Sequence, residues 1–166
     1  MFLGMSLATF TFFHVLISLV GIGSGLIVMF GFLTRKQLAG WNAVFLLTTV
    51  LTSATGFLFP FHKFLPSHGV GIVSLIALAV AIFALYGRSL AGAWRRTYVV
   101  SAVMALYLNV FVLIVQLFEK VHALRALAPT QSEPPFKFAQ LFALVIFVLL
   151  GIFAAKKFAN ERIPVA

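Results

Sequence analysis

Residues 7–33, LATFTFFHVLISLVGIGSGLIVMFGFL, contain no Lys, Arg, Asp or Glu. A helix needs about 20 apolar residues to cross the hydrocarbon core of a bilayer, so this stretch predicts one crossing with residues to spare. Working outward, four further apolar runs follow at about 41–61, 69–86, 97–118 and 136–155. None alternates apolar and polar residues as a barrel strand does. The predicted fold is an all-α integral membrane protein, a single domain over 1–166 with a bundle of five transmembrane helices. Residues 1–13 contain neither Lys or Arg nor a small-residue cleavage site, so the N-terminus reads as part of the first span.

The composition agrees. Of 166 residues, 63% are apolar and 9% charged, and the mean hydropathy is +1.14. A water-soluble fold of this size leaves too much surface in solvent to hide that apolar content, so lipid is the expected solvent. With no cysteine there is no disulfide and no thiolate metal site. The only acids are Glu119, Glu133 and Glu161, which argues against paired-carboxylate hydrolysis and against a calcium or magnesium cage. No phosphate-cradling loop or nucleophile elbow occurs. The net charge of +9 comes from basic residues set singly or in pairs at the ends of apolar runs. That is the distribution of topology signals, not of a nucleic-acid surface.

Arg35, Lys36, Arg88, Arg95, Arg96, Lys156, Lys157 and Arg162 fall on one side of the predicted membrane, and Lys63, Lys120, Arg125 and Lys137 on the other. The positive-inside rule then predicts an outer N-terminus and a cytoplasmic C-terminus, with Trp41, Tyr86, Trp94 and Tyr98 at the inner interface. Most polar residues of the spans lie in the outer half. On the first span, Thr11, His14, Ser18, Gly21 and Gly25 share one helical stripe, and Gly21 and Gly25 form a GxxxG pair that admits a neighbouring backbone. Thr52 and Thr55 on the second span, and Asn109 and Gln116 on the fourth leading to Glu119, complete the candidate lining of an outer polar cavity. The same residues are also ordinary helix–helix glue, at about 0.6 kcal/mol each.

All four histidines fall on the outer side: His14 within a span, His62 and His68 around the second outer loop, His122 after the fourth span. Ser67 is placed to cap the third helix, with His68 in its first turn. Counting residues along the spans puts His14 and His68 at similar depth, which makes them the candidate cofactor ligands, with haem b the candidate cofactor. Three histidines with Glu119 offer an alternative zinc or copper set. The loop from Glu119 to Pro135, with APTQSEPP at 128–135, is expected to be extended and stiff, a lid or a docking strip.

The segments FHVLIS (13–18), TSATGF (52–57), PSHG (66–69) and LAPTQSEP (127–134) resemble small uncharacterised bacterial polytopic membrane proteins. The chain is also loosely similar to small membrane cytochrome b proteins, though it lacks histidines paired at two depths. The resemblance implies a bacterial inner-membrane location and carries no catalytic residue. Three functions are consistent with these features. One is a non-catalytic membrane subunit or assembly factor, with a homo-oligomer or another membrane protein as partner and no nucleic acid. Another is a haem- or metal-binding redox protein near the periplasmic face, using His14 and His68. The third is a small transporter, disfavoured by the lack of repeats and of midplane charge.

Overall fold

A computed structural model describes residue 4 and residues 6–60 and 66–159. Its regular elements are all helical. Helix α1 is Leu7–Leu33, α2 Ala39–Gly56 and α3 Pro66–Ile82, which continues as a short π-helical turn over Phe83–Gly87. Helix α4 is Trp94–Lys120, α5 the short His122–Leu127, and α6 Pro134–Ala159. Four helical stretches are long and apolar enough to cross a membrane: α1, α3 with its π turn, α4 and α6. The shorter α2 has 18 residues, about 27 Å at 1.5 Å per residue, and carries Asn42 and several hydroxyls.

The ends of these helices follow from local chemistry. Ser6 caps α1, its Oγ accepting from the Thr9 amide at 3.1 Å. At the other end Arg35 turns left-handed (φ 59°), and the Lys36 and Arg35 amides fold back onto the carbonyls of Gly31 and Phe32 at 2.8 and 3.3 Å. This is a Schellman stop made without glycine. Helix α2 ends at Gly56, before residue 61, because the Phe57 and Leu58 amides turn to carbonyls three residues back and Pro60 disfavours helix at Phe59. The described part of α3 begins at Pro66, so Ser67 is its second residue and not a cap.

The expected extended outer loop is instead structured. Helix α4 reaches Lys120, α5 follows at once, and a tight turn leads into α6 at Pro134. Glu133 is the reason. One of its carboxylate oxygens accepts from the Thr130 amide and hydroxyl at 3.1 and 2.8 Å, and the other from the Ser132 amide at 3.0 Å.

Short connections make sequential helices antiparallel. Helix α2 follows α1 from Gly31, which meets Leu38, to His14 and Phe10, which meet Thr55 and Phe59. That contact runs for about 25 Å or more at 1.5 Å per residue. Helix α4 packs centrally against α1, α3 and α6. Tyr98, Val99, Ala102, Ala105 and Leu106 form its buried face, and Ala77 and Ala81 of α3, with Ala84 of the π turn, are buried too. Alanine on both helices permits close backbone approach. At one end of the bundle the Phe32 ring meets Tyr98 edge-on and Phe158 at a tilt, Arg95 lies over the Phe158 ring and Arg88 over Trp94. This is the basic end. Apolar side chains face outward everywhere, most densely on α6 (Phe138, Phe142, Val145, Leu149, Phe153).

Candidate functional site

The first candidate site is built on His14, two turns into α1. Its Nδ1 lies 2.8 Å from Thr55 Oγ1, and its ring meets Phe59 edge-on at 5.0 Å. The Thr55 hydroxyl already donates to the Leu51 carbonyl at 2.6 Å, with a longer contact to Thr52. A hydroxyl has one proton, so Nδ1 of His14 must donate to Thr55 Oγ1, leaving the Nε2 lone pair free of that bond. The bond ties the outer ends of α1 and α2 together.

His68 is buried on the other flank of α2. Its ring lies 5.6 Å from Phe57, whose ring also fills the space beside Gly71. Ser53 donates to Ser74 at 3.0 Å one turn deeper, closing the same α2–α3 seam. Thr55 and Phe57 are two residues apart at the end of a helix, so their side chains point to nearly opposite sides. Helix α2 therefore stands between the two histidines. A haem iron held by two imidazoles needs both to face one point, and His14 and His68 do not fit that requirement.

The alternative metal set also disperses. His122 is exposed at the start of α5, Glu119 is exposed and paired with Lys120 at 3.3 Å, and His62 lies outside the described residues. Among the described residues no three His, Asp or Glu side chains gather as a metal site.

The other candidate lining residues separate in the same way. Thr11 and Ser18 donate to the carbonyls of Leu7 and His14, each one turn back on its own helix. Gln116 is exposed. Thr52 Oγ1 is buried without a hydrogen-bond partner among the described residues. Asn109 instead joins a deeper polar knot at Gly21. A methyl group on Gly21 would lie 3.2 Å from both Thr48 Oγ1 and Thr49 Oγ1 and 3.3 Å from Asn109 Nδ2. Thr49 Oγ1 and Asn109 Nδ2 are buried with no hydrogen-bond partner among the described residues.

One turn further in, a methyl on Gly25 would meet Leu106 Cδ1 at 2.6 Å and the Phe45 ring at 2.9 Å. Both glycines are thus consumed inside the chain, where α1, α2 and α4 meet. The neighbouring elements that the GxxxG pair admits are α2 and α4 of the same chain.

A cavity of about 540 Å³ opens elsewhere, at the His14 end of the bundle, between the end of α4, α5 and the turn into α6. Of the residues expected to line an outer cavity, only Glu119 lines this one. Its other walls are Phe118, Lys120, Arg125, Pro129, Thr130 and Gln131. Gln131, held left-handed (φ 58°), fixes the turn by donating to the Val115 carbonyl at 3.1 Å. Desolvation pushes the Glu133 carboxyl upward, but its hydrogen bonds from Thr130 and Ser132 outweigh it and hold the group below the usual carboxylate range. Thr130 and Glu133 have the Thr-x-x-Glu spacing of a capping box, but α6 begins only at Pro134, so here the pair closes the turn that precedes the helix.

No family model, characterised protein or solved structure matches the chain. The class is therefore defined by architecture alone: an all-helical protein with four helices able to cross a membrane.

Proposed function

We propose that this chain is a five-span integral membrane protein of the bacterial inner membrane, acting as a non-catalytic subunit or assembly factor. The observation that carries the reading is the division of His14 and His68 by α2. Each histidine serves a helix–helix seam, and the residues with the most chemical potential are engaged in holding the bundle together. Two further span polar groups contribute in the same way: Ser53 to Ser74, and Gln140 Nε2 to the Phe111 carbonyl at 3.2 Å. Helix α2 counts as the fifth crossing because it accompanies α1 along most of its length. It is slightly shorter than the hydrocarbon core, a mismatch that local thinning absorbs at small cost.

The N-terminus lies outside in this reading. Among the described residues, Arg35, Lys36, Arg88, Arg95, Arg96, Lys156 and Lys157 belong to one end, against Lys120, Arg125 and Lys137 at the other. The chain contains no native cysteine, so single-cysteine variants report topology cleanly. Ser132→Cys is expected to react with an impermeant maleimide in intact cells, and Arg96→Cys only after lysis; the reverse pattern would invert the orientation. Cross-linking and native mass spectrometry of protein extracted in mild detergent are expected to find a stable membrane partner or a homo-oligomer. A strict monomer, or a Soret band that disappears in His14→Ala, would overturn the subunit reading.

A further inference from the structure

We propose that the cavity between α4, α5 and the turn into α6 is a headgroup site for an anionic phospholipid. Its charge is the starting point. Two cations, Lys120 and Arg125, and one acid, Glu119, border it. Among the described residues Glu119 is paired only with its neighbour Lys120, through an exposed 3.3 Å contact that a stronger anion can displace. The nearest other acid in sequence, Glu133, has both oxygens turned into its own loop by Thr130 and Ser132. Among the described residues Arg125 has no ion-pair partner, so the cavity keeps an uncompensated guanidinium.

Guanidinium presents a planar fork that matches phosphate, and Lys120 adds a point charge beside it. The volume lies within the range of ordinary small-ligand sites.

The apolar surroundings select a lipid over a soluble anion. Phe118 is buried against Phe136, edge-on at 5.4 Å, and gives the cavity an apolar floor with Pro129. Leu117 on α4, Val121 at the α4–α5 junction and Leu127 on α5, close in sequence to the lining residues, stand exposed. A phosphate in the cavity places the glycerol and acyl chains of the same molecule against these side chains, at the depth where α4 leaves the membrane. The hydrogen bonds of Glu133 and Gln131 hold the turn in place before any ligand arrives, which lowers the ordering cost of binding.

The test is hydrogen exchange of the full chain in mild detergent, with phosphatidylglycerol, phosphatidylcholine or inorganic phosphate added. Phosphatidylglycerol is expected to protect 119–133, with phosphatidylcholine giving much less protection. Lys120→Gln with Arg125→Gln should raise the phosphatidylglycerol concentration required by about tenfold or more, the weight of one or two charge-assisted hydrogen bonds. Lys156→Gln with Lys157→Gln, at the opposite end, should leave it unchanged. Both cavity side chains are exposed, so the variant is expected to keep its helix content and melting temperature. Arg125→Lys keeps the charge without the fork and should fall between wild type and the double variant. The proposal is overturned if phosphatidylglycerol gives no protection, if protection survives loss of both cations, or if the two lipids protect equally. Protection by inorganic phosphate alone would also overturn it, by assigning the cavity to a soluble anion.

Discussion

Three glycines within five residues of α1 meet very different surroundings, and alanine substitution should separate them. A methyl on Gly25 would lie 2.6 Å from Leu106 Cδ1 and 2.9 Å from two atoms of the Phe45 ring. Leu106 and Phe45 are each 1% exposed, so neither can swing aside into free space. Overpacking of this kind costs about 1–3 kcal/mol, offset by the roughly 0.5–1 kcal/mol that alanine gains over glycine inside a helix. Gly25→Ala is therefore expected to destabilise by about 1–2 kcal/mol. Gly23 has nothing within 4 Å of the same added methyl, so Gly23→Ala should be neutral or stabilising by up to about 1 kcal/mol. Gly21→Ala, at 3.2–3.3 Å from three polar atoms, should fall between them. Melting curves of the purified variants in one detergent, read by size-exclusion of the surviving fraction, give the order directly. Equal melting temperatures for the Gly23 and Gly25 variants would refute the packing of α1 against α2 and α4.

Further predictions concern local contacts. His14→Ala and Thr55→Ala should be non-additive, with a coupling of about 0.6–1.7 kcal/mol as for other hydrogen bonds within membranes; a double-mutant cycle giving zero would remove the bond. Arg35→Gly relieves a left-handed non-glycine residue and should stabilise α1 by about 1 kcal/mol in the same melting assay. Because the folded Glu133 carboxyl sits below its usual range, its contribution is present above the ordinary carboxylate pKa and is lost as pH falls through the lowered value. Amide exchange at Thr130 and Ser132, corrected for intrinsic rates, should accelerate over that descent, and Glu133→Ala should accelerate it at neutral pH.

The helical class was readable because uncharged runs of about 20 residues with basic residues at their ends leave little alternative. The relation between the histidines was not. Residue counting gives depth along a helix, and by depth His14 and His68 are comparable. It says nothing about rotation around the bundle, and the intervening α2 is what separates them. That rotation depends on which residues crowd Gly21 and Gly25, a property of three helices together. The outer loop differs for another reason: its prolines suggest an extended strip, while the hydrogen bonds of Glu133 to Thr130 and Ser132 need only four residues to fold it into a turn. Lys120 and Arg125 looked like isolated interface cations because the cavity between them exists only once α5 turns back against α4.

The central claim is that His14 belongs with Thr55 and is parted from His68 by α2. Paired cysteines treated with a short bis-methanethiosulfonate reagent in native membranes test it most directly. His14→Cys with Thr55→Cys is expected to give an internal cross-link, detected by mass spectrometry of the linked peptides, and His14→Cys with His68→Cys is expected to give none. Efficient linkage of positions 14 and 68, without linkage of 14 and 55, would contradict the account and return the two histidines to a common site.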